Sequence, residues 1–263
     1  MCRLLAYRGE PVFLSELICI PPHSLVRQSV SAARGKTGTN GDGFGLSWYG
    51  ERIEPALFRE ARPAWSDENL QALCHQVRSR LFFAHVRSST GTPTNRANCH
   101  PFSHGKWLFM HNGQIGGYAQ IRRTIEAMIP DDLYGSRMGS SDSEAIFLAA
   151  LANGLEKDPV RAVVRTLRAI HGTMIDAGIA EPFRFTATLT DGETVFGFRW
   201  ASDTKPPTLY YRRTLADVVV ASEPVDDCKE GWHEIPPNSS FKVLSDGRLS
   251  VDLLKDLVVK LAA

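Results

Sequence analysis

The chain has 263 residues, 43% hydrophobic and 22% charged, with a formal net charge of +1. That balance suits a globular protein with a sizeable core and excludes a strongly basic nucleic-acid binder or a polybasic membrane-surface protein. Cysteines at 2, 19, 74, 99 and 228 are odd in number and scattered, which argues against a disulfide framework and for a reducing compartment. No apolar run is long enough to span a membrane. Arg3, Arg8, Glu10 and Pro11 come too early for a secretory signal, so the expected location is the cytoplasm.

Leu4 to Tyr7 reads as a buried strand, and Val12–Ile18 and His23–Val30 as short helices around Pro21-Pro22. Arg34 to Gly43 is rich in Gly, Thr and Asn and reads as an irregular loop, with a strand from Phe44 to Tyr49 after it. Ser66 and Asp67 cap a helix through about Arg78, with Leu70, Leu73, Cys74 and Val77 on one face. Leu81–Val86 and Lys106–Met110 suit buried strands joined by a long, and therefore functional, loop from Arg87 to Gly105. Helices follow at Tyr118–Ile129, Ser143–Asn153 and Pro159–His171. Strands return at Arg184–Thr190, Glu193–Trp200, Leu209–Arg213 and Asp217–Ala221, and Asp246-Gly247 marks one more hairpin. The tail from Leu253 to Leu261 is apolar at helical spacing. Strands, then helices, then strands predict an α+β fold, and without a linker residues 1–263 read as one domain.

The chain opens Met1-Cys2-Arg3. Removal of Met1 gives Cys2 a free α-amine beside its thiol. A thiol needs a base to act as a nucleophile near neutral pH, and an α-amine that titrates near pH ~8 can take that proton. Four further motifs accompany it: His85-Val86-Arg87-Ser88-Ser89-Thr90, Asn98-Cys99-His100-Pro101-Phe102, His111-Asn112-Gly113 and Ser141-Asp142-Ser143-Glu144. Asn40-Gly41-Asp42-Gly43-Phe44-Gly45 and Ala221-Ser222-Glu223-Pro224 fit the same set. In this order and spacing the chain resembles the class II glutamine amidotransferases, from Cys2 to about Leu151 and again from Val218 to Pro236.

The resemblance implies a four-layer αββα N-terminal-nucleophile hydrolase sandwich and hydrolysis of a γ-glutamyl amide through a Cys2 thioester. It implies Cys2, Asn112 and Gly113 as catalytic residues, the latter two as oxyanion donors, and Arg87, Thr90, His100 and Asp142 as substrate-binding residues. The residue types agree with those roles. A guanidinium after an apolar strand can pair with a carboxylate, Asp142 can meet an ammonium, and adjacent Asn and Gly donors can face a developing oxyanion. No cofactor or metal is expected. A small γ-glutamyl compound is the expected substrate. A separate synthase or peptidase, or a second copy of the chain, is a candidate partner; nucleic acid and membrane are not expected.

Each motif has a plainer alternative. Asn112-Gly113 is also a hairpin-turn signal. Ser141 with Glu144 fits a capping box. Arg87 can pair with a structural carboxylate, and His100 can simply order its loop. The Asn40–Gly45 run lacks both the lysine of a phosphate loop and the GxGxxG spacing. Cys99, His100, His104 and His111 raise a zinc site, but at a spacing that matches no closed zinc pattern. Cys99 beside His100 is a second candidate nucleophile, and a catalytically inert scaffold of the same fold is a third reading. Ser88 stands where many synthase-fused relatives carry an aromatic residue. The chain also ends soon after the glutaminase-like region. It is therefore expected to resemble stand-alone γ-glutamyl hydrolases, with a glutaminase subunit feeding a separate synthase as the alternative.

Overall fold

A computed structural model describes residues 2–33, 38–89, 91–228 and 230–254. In chain order the elements are β1 (Arg3–Phe13), α1 (Ser15–Ile18), α2 (Leu25–Val30), β2 (Phe44–Trp48), β3 (Ala56–Glu60), α3 (Glu68–Gln76) and β4 (Arg78–Val86). Next come β5 (Phe102–His104), β6 (Trp107–Gln114), α4 (Tyr118–Glu126), α5 (Asp131–Tyr134), α6 (Asp142–Ala152) and α7 (Pro159–Asp176). The last are β7 (Arg184–Thr190), β8 (Val195–Ala201), β9 (Tyr210–Arg213), β10 (Asp217–Ala221), β11 (Trp232–Glu234), β12 (Ser239–Val243) and β13 (Leu249–Leu253).

These strands form two antiparallel sheets, ordered β11-β9-β10-β1-β4-β2-β3 and β13-β12-β8-β7-β6-β5. Alternation along the strands sorts their side chains into three cores. Leu4 and Ala6 of β1, Leu81 and Phe83 of β4, Leu108 and Met110 of β6, and Val218 and Val220 of β10 fill the space between the sheets. Their neighbours Leu5, Tyr7, Phe82, Ala84 and Val219 face the helical layer that contains Leu17, Leu25 and Leu70. Phe109, Phe185 and Phe198 face the other helical layer, with Ile121 of α4, Phe147 of α6 and Leu167 of α7. The result is helix, sheet, sheet, helix, as expected for an αββα sandwich.

Several boundaries move. The helix expected from Val12 starts at Ser15, because β1 runs on to Phe13 past a register shift between Arg8 and Val12. The 87–105 loop contains a helical turn at Arg96–Asn98 and the short strand β5. Asn112-Gly113 is not a turn: both residues pair inside β6, opposite Thr186 and Phe185 of β7. Strands β3 and β11 and helix α5 carry no clear sequence signal, and Leu253 ends a strand, not a helix. The rest of that expected tail, 255–263, lies outside the described residues.

Candidate active site

The ends of β1, β4 and β6 and the start of α6 meet at one cavity of about 260 Å³. Its wall includes six of the seven expected site residues: Cys2, Arg87, His100, Asn112, Gly113 and Asp142. The seventh, Thr90, lies outside the described residues.

Cys2 immediately precedes β1 and is half-buried. The Ser88 N–H donates to Sγ at 3.4 Å, and Sγ lies 3.5 Å from the Ser88 carbonyl. Burial pushes the thiol above its ordinary pKa, against the opposing pull of the Ser88 backbone bond and the charges of Arg87 and Arg3. A thiol so placed needs a base to become a thiolate near neutral pH.

Arg87 follows β4 directly. Its backbone extends the sheet, donating from N–H to the Gly43 carbonyl (2.8 Å) and accepting from the Asp42 N–H (3.0 Å). Nη1 donates to the Asp42 carbonyl at 3.2 Å; Nη2 donates to Thr92 Oγ1 at 2.6 Å and Ser89 Oγ at 3.2 Å. Asp42 spends its carboxylate on the Ser89 N–H at 2.7 Å instead. Among the described residues Arg87 therefore forms no ion pair, and a cation held by neutral oxygens is available to an anion.

Asn112 is fully buried, and neither its Oδ1 nor its Nδ2 has a hydrogen-bond partner among the described residues. Such an amide is rare, because leaving it unpaired costs about 1–3 kcal/mol. Gly113 sits so close to β7 that a Cβ there would overlap the Arg184 carbonyl oxygen, so only glycine allows this register. Asp142 opens α6. Its Oδ2 accepts from the Ile115 N–H at 2.9 Å and its Oδ1 from the Ser143 N–H at 2.8 Å. The expected capping box is half present: Ser141 Oγ accepts from the Glu144 N–H, but the Glu144 carboxylate accepts from Met138 and Gly139 rather than returning to Ser141.

Three histidines border the site. The rings of His85 and His100 lie 4.3 Å apart, and His100 meets Phe102 edge-on at 4.5 Å. Burial lowers the His85 pKa to about 3 and holds His100 well below its ordinary value, so both are neutral. His111 contacts the Arg184 carbonyl through Nε2 at 3.3 Å, which assigns the ring proton to that nitrogen and lets Nδ1 accept from Ser143 Oγ at 2.9 Å.

Cys99 plays a different part. It is buried, its Sγ lies 3.4 Å from the carbonyls of Glu60 and Asn95, and burial raises its pKa to about 11. A Cβ at Gly43 would come within 2.5 Å of that sulfur. Cys99 packs, and is absent from the cavity wall. Among the described residues no group of three or more His, Cys, Asp or Glu side chains is placed to hold a metal ion, and no helix is long and apolar enough to cross a membrane. The cavity also takes in Ser88, Thr92, Asn98, His111, Ser143 and Arg184, none of them expected as site residues. Asn98, His111 and Ser143 stand inside motifs singled out above; Arg184 carries no sequence signal and arrives through its pairing opposite Gln114.

The family profile described as class II glutamine amidotransferases matches residues 1–214. A probable glutamine amidotransferase of Saccharomyces cerevisiae is 32% identical over 92% of this chain and 82% of its own length. A γ-glutamyl-hercynylcysteine sulfoxide hydrolase of Mycobacterium tuberculosis is 31% identical over 94% of each. A solved glutamine aminotransferase class-II domain protein from Silicibacter pomeroyi superposes with a TM-score of 0.77, at 36% identity, over 96% of this chain and 99% of that one. The glutamine phosphoribosylpyrophosphate amidotransferase of Bacillus subtilis shares the fold, with a TM-score of 0.63 at 14% identity, over 97% of this chain and 49% of that one. On the profile, the relatives and the sandwich together, the chain is an amidohydrolase that belongs to the class II glutamine amidotransferases.

Proposed function

We propose that the protein hydrolyses the γ-glutamyl amide bond of glutamine or a small γ-glutamyl compound through a thioester on Cys2. The observation that carries this reading is the buried Asn112 amide, without a hydrogen-bond partner among the described residues, in the same cavity wall as the Cys2 thiol. The amide is held ready for an oxygen that becomes charged only during reaction. Arg87, without a carboxylate partner among the described residues, takes the substrate α-carboxylate, and Asp142 takes the α-ammonium.

With Met1 removed, the Cys2 α-amine receives the thiol proton as Sγ bonds to the γ-carbonyl carbon. The oxyanion rests on Asn112 Nδ2 and the Gly113 N–H. The C–N bond then breaks, and the leaving amine takes the proton. Water, deprotonated by the same α-amine, attacks the thioester, releases glutamate and restores the thiol. The names of the mycobacterial relatives support hydrolysis of a γ-glutamyl compound rather than ammonia supply, and a nucleophilic thiol fits the reducing cytoplasm.

Labelling processed protein with a diazo-ketone glutamine analogue, followed by peptide mapping, tests this. An adduct on Cys2, lost in Cys2→Ala and kept in Cys99→Ala, is expected. A processed protein that stays unlabelled, or carries the adduct on Cys99, overturns the reading.

A further inference from the structure

Asn98 ends the helical turn Arg96–Asn98, and its side chain is fully buried. Oδ1 accepts from the Ser140 N–H at 2.7 Å. Nδ2 donates to the Pro93 carbonyl at 2.9 Å and to Ser140 Oγ at 3.2 Å. The two segments joined in this way are remote in sequence and hold opposite charges at the cavity. One, 87–89 with 91–93, carries Arg87 and the Thr92 and Ser89 oxygens that fix its guanidinium. The other, 137–141, leads into α6 and sets Asp142.

The second segment is itself stiff. Both Nη atoms of Arg137 donate to the Ser141 carbonyl at 3.2 Å, and the Glu144 carboxylate accepts from the N–H groups of Met138 (3.0 Å) and Gly139 (2.8 Å). It lies tight on Asn98, since a Cβ at Gly139 would come 2.5 Å from Asn98 Oδ1. The joint needs an acceptor toward Ser140 N–H and a donor toward the Pro93 carbonyl on one short side chain, which an amide supplies and a carboxylate or hydrocarbon does not.

We infer that Asn98 is a positioning residue that fixes the spacing between Arg87 and Asp142. It thereby makes the site selective for ligands that carry a carboxylate and an ammonium on the same carbon. This rests on the γ-glutamyl reading of the site. A ligand with one of the two charges docks at one segment and is indifferent to the spacing; a ligand with both needs the two segments in register.

The test uses competitive inhibition constants for L-glutamate, glutarate (no ammonium) and 4-aminobutyrate (no α-carboxylate), together with kcat and KM. They are measured for the processed wild type, Asn98→Ala and Asn98→Asp. Wild type binds glutamate more tightly than either analogue. In Asn98→Ala glutamate weakens about tenfold, the loss of roughly one to two net hydrogen bonds. The analogues change by less than about threefold, KM rises and kcat holds within about threefold. Asn98→Asp keeps the Ser140 link but sets a buried carboxylate oxygen against the Pro93 carbonyl, so it weakens glutamate at least as much while the analogues again change by less than about threefold, and it decides the matter if Asn98→Ala does not fold. Parallel weakening of all three ligands, no change in any, or a fall in kcat alone overturns the inference. A wild-type enzyme without preference for glutamate over both analogues overturns the γ-glutamyl reading itself.

Discussion

Replacing Asn112 with leucine separates catalysis from stability. In the native protein the amide is fully buried and both of its polar atoms lack partners among the described residues. Its desolvation is unrelieved, at about 1–3 kcal/mol. Asn112→Leu removes that penalty without breaking any hydrogen bond seen here, and its two methyl groups take the places of Oδ1 and Nδ2, with the adjoining 260 Å³ cavity to absorb their slightly larger size. The variant is expected to be more stable by about 1–3 kcal/mol, a rise in Tm of roughly 2–4 °C per kcal/mol for a chain of this size. The same change removes the proposed oxyanion donor, which should lower kcat by about 10²–10³. Urea unfolding at pH 7 gives the first quantity and hydrolysis of a γ-glutamyl anilide the second. A variant less stable than wild type, or one that keeps more than a tenth of the activity, refutes the assignment of Asn112 as an amide stored unpaired for the reaction.

Two further outcomes follow from the same geometry. Gly113→Ala drives a methyl into the Arg184 carbonyl of the neighbouring strand. It should destabilise the fold by about 1–3 kcal/mol in the same urea titration and abolish turnover; unchanged stability would mean that β6 and β7 separate easily. Acid should weaken the protein through its neutral histidines. Folded His85 stays unprotonated down to about pH 3, whereas an unfolded imidazole takes a proton near pH ~6.5, so between those values the unfolded chain binds more protons and stability falls as pH falls. At pH 5 this amounts to about 2 kcal/mol for His85, and His100 acts in the same direction. Unfolding free energies equal at pH 7 and pH 5 would contradict it.

Much of the fold was legible because its strands are short, apolar and bounded by turn residues. β7 and β10 begin and end where their patterns do. Asp67 caps α3 through a 2.8 Å bond to the Leu70 N–H, as its position before the helix suggests. What escaped was governed by partners distant in sequence. β3 is a partly exposed edge strand that includes Arg59 and Glu60, and exists because β2 offers it a ladder. Asn112-Gly113 has local turn propensity, but the pairing with β7 overrides it. In the site, residue types named the charges and the motifs contained Asn98 and Ser143, but the partners of those two side chains come from loop contacts, and Arg184 arrives through strand register, which no local pattern encodes.

The strand that follows Cys2 lies in the interior of its sheet, with Arg3 paired to Val86 on one side and Leu5 to Ala221 on the other. Leu4 is further tied to Ser222, whose hydroxyl accepts from the Leu4 N–H at 3.0 Å and whose own N–H donates to the Leu4 carbonyl at 3.0 Å. The sulfur proposed to attack is therefore one residue away from a backbone fixed on both flanks. An end of a chain ordinarily samples a wide volume, and confining it at each turnover would slow attack. Here that loss of freedom occurs once, when the sheet assembles, so the entropy of activation for the first chemical step should be small.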